Sequence, residues 1–455
     1  MPLGCRKTLI SACFILAALS GLLGDRPAWA LGLANLETTS YFRHSTARPD
    51  TSTVLDVEPS FVGEGPVVAG AFEARALLFT SDPVGSLTFD LGDAYVATSP
   101  QLLPHHQLSA GRRKQDWSTA DQEWGLGLWE PRFTWDPLRP RRDGLSGFFY
   151  NYHSKFWRLT AFASPLSVPD RSFPVKAEGG RLTSSSPDFV PPYQATEIDT
   201  DQAHPRFGIN YSIAMPPLSE LLLNAGFGTS VRFGGDEGFW TQLSGGILPS
   251  HQLDLMAEFG IPAQQANVDS VIHPRSYSHR LLSAETGVRG TVLDGAASWA
   301  GWVSETRETP MLPPPTYPSW TSAPIGTAWI AALGASVEVQ HWFRLRGAGL
   351  MIREEKPAAN ADQANLTLPP RFWLTQAARF SGTFLASERW VPEFQWTRDF
   401  AWATHSLSVD LAYHSVSGSW QAGVGGDLFF AKLDQGFYGA YAGNDRVRAR
   451  VAYAF

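Results

Sequence analysis

The chain ends Arg446-Val447-Arg448-Ala449-Arg450-Val451-Ala452-Tyr453-Ala454-Phe455, and this stretch alternates without a fault. Val447, Ala449, Val451, Tyr453 and Phe455 share one side; three arginines and two alanines share the other. Successive side chains of a β-strand point to opposite faces. The segment therefore predicts a strand with one apolar face and one cationic face, its arginines spaced about 6.5 to 7 Å apart along a single line. If the apolar face meets hydrocarbon, Arg446, Arg448 and Arg450 must look into an interior.

The same period of two recurs upstream. Trp329, Ala331, Leu333, Ala335, Val337 and Val339 alternate with Ser336, Glu338 and Gln340, and Leu407, Val409, Leu411 and Tyr413 alternate with Ser408, Asp410 and His414. Phe343 and Leu345 stand against Arg344 and Arg346; Trp390, Phe394 and Trp396 stand against Arg389, Glu393, Gln395 and Thr397. Two faults are visible. Pro392 cannot donate to a ladder, and Gln376 interrupts the apolar series Phe372, Leu374, Ala378, Phe380. Further candidates run from Leu36 to Phe430, among them Phe207 to Ile213, Gln252 to Ile261 and Thr291 to Val303, and give about 16 to 18 strands of barrel size.

Composition narrows the class. Charged residues make up 17% and aromatics 13% with 17 Trp, while no mature stretch carries the run of apolar residues that a membrane helix needs. A barrel hides its apolar residues at every second position instead. The expected fold is all-β: a closed antiparallel transmembrane β-barrel. Three long interruptions, Arg113 to Gly144, Pro165 to His204 and Glu305 to Pro324, suit the long loops at one end of such a barrel.

The first 30 residues carry Arg6 and Lys7, an apolar run from Leu9 to Leu23, and Ala28-Trp29-Ala30, the layout of a cleavable signal peptide. Its removal takes Arg6, Lys7 and Arg26 but only Asp25, so 425 residues remain with formal charge −9 in place of −7. Both cysteines, Cys5 and Cys13, leave with it, which excludes disulfides and thiolate chemistry. The acidic balance gives no support for nucleic-acid binding.

The terminal strand resembles that of Gram-negative outer-membrane β-barrel proteins, porins among them, which end on an aromatic residue preceded by alternating apolar ones. The resemblance implies outer-membrane location and recognition of Phe455, Tyr453 and Val451 by the barrel assembly machinery. Gly111-Arg112, followed by Trp117 and Asp121 to Trp124, resembles a segment of polymer-export barrels of the alginate-exporter type.

Arg446, Arg448, Arg450, Arg344, Arg346, Arg379, Glu393 and Asp410 are the candidate pore-lining groups. Arg112, Arg113, Lys114, Arg132, Arg139, Arg141 and Arg142 read either as a constriction or as a solvated run touching lipopolysaccharide phosphates. No nucleophile elbow occurs, and His414-Ser415 would diverge on a strand; His105-His106 and His273/His279 have no metal-site spacing. No enzyme, metal or cofactor is implied. The expected function is a porin-like channel for passive diffusion of small polar solutes. A polymer or polysaccharide conduit and a plugged structural or adhesive barrel are the alternatives. Expected partners are outer-membrane lipid and lipopolysaccharide, the assembly machinery, small polar solutes and, in a homo-oligomer, a second copy of the chain.

Overall fold

The computed structural model describes residues 29–41, 51–79, 87–136, 138–172, 175–184, 197–198, 207–260, 267–292, 295–312, 317, 320–321, 325–340, 342–355, 371–385, 387, 389–432, 436–441 and 445–454. Eighteen strands form one sheet that closes on itself with every neighbour antiparallel. In chain order they are β1 Trp29–Tyr41, β2 Thr51–Glu64, β3 Val68–Phe79, β4 Leu87–Thr98, β5 His106–Arg113 and β6 Leu145–His153. Next come β7 Trp157–Ser164, β8 Gly226–Phe233, β9 Gly238–Pro249, β10 Ser278–Val292, β11 Ala297–Met311 and β12 Thr327–Val339. The last six are β13 Phe343–Glu355, β14 Gln376–Phe384, β15 Trp390–Asp399, β16 Thr404–His414, β17 Trp420–Phe430 and β18 Arg446–Ala454. β18 pairs with β17 on one side and with β1 on the other, Leu33 opposite Ala454 through Tyr41 opposite Arg446. That pairing removes both sheet edges.

The connections sort by length onto two ends. Those beginning at residues 65, 99, 154, 234, 293, 340, 385 and 415 span three to seven residues and lie at the end that holds β1's start and β18's finish. The opposite end carries connections of up to 61 residues (165–225).

Parity holds around the wall. Val447, Val451 and Tyr453 are exposed on the outside while Arg446 and Arg448 are buried inside. Elsewhere the outer face shows Phe89, Phe148, Phe239, Leu333, Trp396 and Val424, all exposed. An arginine facing the lipid midplane costs roughly 2–4 kcal/mol, which explains why charge is turned inward along most of the wall. One bulge resets the phase: the β3–β4 register shifts at Glu73/Ala74, so Phe89 points out and Asp93 still points in.

Several expectations are corrected. Phe207–Ile213 and Asp254–Gly260 are strands, but they join a separate five-stranded sheet with Asn267–Arg275, Glu197–Ile198 and Trp320–Thr321. Alternation alone does not say which sheet a strand joins. Thr291 to Val303 holds a turn near Gly295, whose φ of 88° takes the chain from β10 to β11. The Gln376 fault disappears because β14 starts at that residue, leaving Phe372 and Leu374 outside the strand. Pro392 sits beyond the last β14–β15 pair, Thr383 opposite Glu393, where its missing N–H breaks no bond on that side. β11 stays paired through Met311, so Glu305 to Met311 belong to wall and not to loop. Trp29 and Ala30 pair with Val62 and Phe61, two positions upstream of the expected cleavage point. Phe455 and residues 1–28 lie outside the described residues.

Candidate functional site

The connection between β5 and β6 folds into the barrel. Its composition drives this: Trp117, Trp124, Leu128 and Trp129 would be costly in water, and all four are buried against Leu145, Phe149, Phe162, Leu248 and Leu281 of the wall. Trp117 and Trp129 stack with ring centroids 5.3 Å apart and planes within 6°. A short helix, α1 (Thr119–Trp124), starts at Ser118, whose hydroxyl accepts from the Asp121 N–H, and ends at Gly125 in the left-handed conformation. Asp121 then accepts from the Leu128 and Trp129 N–H groups at 3.1 and 3.0 Å and folds the following turn back on the helix.

Polar contacts tie this loop to strands on every side. Glu285 of β10 accepts from Ser118 Oγ (2.7 Å), Thr119 N (2.8 Å) and Thr119 Oγ1 (2.9 Å), and also from Ser304 Oγ of β11 (2.9 Å). Gln242 and Ser244 of β9 donate to the Trp117 carbonyl. Across the lumen Arg379 of β14 donates to the Glu123 carbonyl at 2.6 Å and lies over the Trp124 ring, while Arg346 of β13 reaches the Glu123 carboxylate at 3.3 Å. Arg132 forms a two-point pair with Asp170, at 2.9 and 2.6 Å.

Two clusters anchor the loop's far half. Asp427 of β17, with only 1% of its side chain exposed, meets Arg446 at 2.7 Å, Arg448 at 3.3 Å and Arg139 of the loop at 3.1 Å. Asp136 of the loop meets Arg446 at 2.7 Å and Arg139 at 3.1 Å. Just beyond β1, on the neighbouring strands β2 and β3, Arg141 pairs with Glu58 and Glu73, and Lys114 with Glu73 at 2.9 Å. Arg112 reaches Asp143 at 3.0 Å, and Arg113 lies 4.6 Å over the Tyr95 ring. The loop is thus a septum pinned at both sides of the lumen.

Burial shifts the loop's own carboxyls. Glu130 accepts from the Gln115 N–H and lies 2.9 Å from Arg142, yet burial outweighs that cation and pushes its carboxyl up to about 8. Asp143 is pushed up to about 6, again by burial against the pull of Arg112. The guanidiniums of Arg446 and Arg139 hold Asp136 below the usual carboxylate range despite its burial.

Beside the septum is a cavity of about 310 Å³ lined by Arg132, Arg139, Arg371, Arg379, Asp170, Ser406, Ser408 and Tyr438, with Trp124, Leu126, Phe372 and Trp373 between them. A second inward element closes it: α2 (Gly436–Ala440), whose Phe437 and Tyr438 pack with Tyr441, Phe429, Leu138 and Trp373.

The candidate residues separate accordingly. Arg446, Arg448, Arg379 and Asp410 face the interior but are engaged, Arg448 with Asp410 at 3.0 Å. Arg344, Arg346, Arg450 and Glu393 are exposed on the inner face, Arg344 paired with Glu338 at 2.7 Å. Arg112, Arg113, Lys114, Arg132, Arg139, Arg141 and Arg142 all have partners inside the barrel, so the reading of this run as an outer lipopolysaccharide contact is corrected: the loop bends inward because its tryptophans do. Sequence reasoning missed Glu285, Glu123, Glu130 and Asp136. The density of Trp in an otherwise charged loop was the available signal.

No family model matches the sequence, and no curated protein matches it. Among solved structures the chain is similar to OccAB1 of Acinetobacter baumannii, with 9% identity, 94% of this chain and 96% of that one covered, and a TM-score of 0.48. It is also similar to OccK9 (OpdG) of Pseudomonas aeruginosa, with 9% identity, 94% and 98% covered, and a TM-score of 0.49. The outer membrane protein OprD of Pseudomonas aeruginosa gives 10% identity, 94% and 92% covered, and a TM-score of 0.46. The closed barrel is established by the chain's own strand pairing.

Proposed function

We propose that the chain is a porin-like channel of a Gram-negative outer membrane, passing small polar solutes through a lumen that the 114–144 connection narrows. The observation that carries this reading is the septum pinned by ion pairs beside an arginine-lined cavity, within a closed barrel whose outer face is mostly apolar. Barrels of this strand number have room for a water-filled path. Charged groups on both sides of a constriction hold a small solute's polar atoms where bulk water is excluded. The four arginines around the cavity each have a partner, Arg132 with Asp170, Arg139 with Asp427, Arg371 with Glu308 and Arg379 with the Glu123 carbonyl, so the path presents both signs of charge to a solute. A polymer conduit is disfavoured, because the septum crosses the space a chain would thread.

Purified protein in planar bilayers is expected to give small, stepwise conductance. Replacing residues 116–142 by a short Gly-Ser turn should raise the unitary conductance severalfold. A barrel that stays closed in both forms refutes the channel reading and leaves a plugged structural role.

The terminal strand is proposed as the segment read by the barrel assembly machinery. Phe455→Glu should reduce heat-modifiable, folded protein in outer-membrane fractions several-fold; unchanged insertion refutes this.

A further inference from the structure

Among the described residues, charge on the outer face gathers toward the long-loop end of the barrel. There stand Arg280 on β10, Glu305 and Arg307 on β11, Arg353 and Glu355 on β13, and Arg398 on β15, which bonds His405 at 3.2 Å. Arg307 lies opposite Leu282 of β10 and Trp329 of β12, and Trp329 lies opposite Arg353. With strands about 4.8 Å apart, the Arg307 and Arg353 backbones are roughly 10 Å from each other. Arg280 is one outward position along from Leu282 and so diagonal to Arg307, about 7–8 Å away. The Arg307 guanidinium is laid 4.8 Å over the Trp329 ring. Arg280, Arg307 and Arg353 form no ion pair among the described residues, with Glu305, Glu355 or any other group.

Two grooves open on the same outer face. One, of about 720 Å³, has Arg307 and Trp329 at its edge and runs over Val231, Phe233, Leu243 and Leu282. The other, of about 980 Å³, runs over Val303, Leu333 and Met351, and Glu305 lies where the two meet. Arginines exposed on a lipid-facing wall are disfavoured unless an anionic headgroup meets them.

We propose that this patch binds the phosphorylated glycolipid of the outer leaflet, lipid A, its phosphates on Arg280, Arg307 and Arg353 and its acyl chains in the two grooves. The inference rests on the outer-membrane reading above. Three guanidiniums spread over neighbouring strands suit more than one phosphate. Two adjacent apolar grooves suit a multi-chain lipid better than a two-chain phospholipid. The patch also lies toward the end opposite β1's start, β18's finish and the short turns, the end that faces outward in such barrels.

The test is native mass spectrometry of the purified full chain with bisphosphorylated lipid A, dephosphorylated lipid A and phosphatidylglycerol. Wild type should hold bisphosphorylated lipid A at least tenfold more tightly than the other two. The combined Arg280→Gln, Arg307→Gln, Arg353→Gln variant should lose that preference while keeping wild-type conductance, since these side chains face away from the lumen. Equal retention by the variant, or equal binding of dephosphorylated lipid A, overturns the proposal; equal binding of phosphatidylglycerol overturns the choice of lipid. Should the triple variant fail to fold, Arg307→Gln alone is expected to bind severalfold more weakly and Arg307→Lys to recover part of the loss, and an unchanged Arg307→Gln overturns the proposal. A barrel that binds lipid A but does not conduct removes only the channel reading; one that conducts but does not discriminate removes only this one.

Discussion

Arg446 and Arg450 lie on the same face of the same strand, four residues apart, and have different fates. Arg446 is 3% exposed and is clasped by Asp427 and Asp136. Arg450 is exposed, with Glu37 of β1 opposite it in the ladder. Backbone parity aims both inward. What each does next depends on the 114–144 connection, which reaches Arg446 through Asp136, shares Asp427 with Arg448 through Arg139, and stops short of Arg450. The ladder thus divides into an upper part that fastens the septum and a lower part that presents charge to the lumen.

The sharpest way to break that division is at Asp427, where Arg139, Arg446 and Arg448 converge. Asp427→Asn leaves three guanidiniums, the buried Arg446 and Arg448 and the half-buried Arg139, short of their shared carboxylate. Removing one partner of a buried pair costs about 3–5 kcal/mol, so the heat-modification temperature should fall and the conductance should become larger and noisier. A variant indistinguishable from wild type in both would show that the septum is held by its tryptophans alone.

A smaller effect is expected from pH. The docked value of Glu130, about 8, lies above its ordinary 4.5, so the docked loop keeps a proton that a released loop gives up between those values. Docking is favoured in full below about pH 4.5 and weakens as pH rises toward 8. Asp143, at about 6, acts in the same direction over a lower window. Opening events in single-channel records should grow more frequent from pH 5 to 8, and Glu130→Gln should flatten most of that rise. A rise of equal size in Glu130→Gln would assign it to another group.

The smallest effect belongs to the lower part of the ladder. Arg450→Gln should leave the heat-modification temperature unchanged and move the reversal potential in a salt gradient toward cations. A loss of stability instead would place Arg450 with Arg446 as a fastening residue.

The barrel was legible because its signal is local. Each strand states its own inside and outside through alternation, and even the faults at Gln376 and Pro392 mark where pairing starts or stops. Two strands were misassigned, Phe207–Ile213 and Asp254–Gly260, because period two is the same in a barrel and in a small separate sheet. The septum was only half legible. Its cations are legible, but not which carboxylates they meet, since Arg139 and Asp427 are 288 positions apart and nothing in either neighbourhood names the other. Trp117, Trp124 and Trp129 were the clue that this loop does not live in water.

The pairing of β1 with β18 also bears on how the barrel is made. β1 closes the sheet by pairing with β18, Tyr41 opposite Arg446, so closure joins segments roughly 400 positions apart, and such non-local contacts are slow to form. Until Arg446–Ala454 arrives, the sheet has two bare edges, each a row of unpaired backbone groups open to wrong partners. A chain truncated before Arg446 should therefore aggregate and not settle as a smaller barrel.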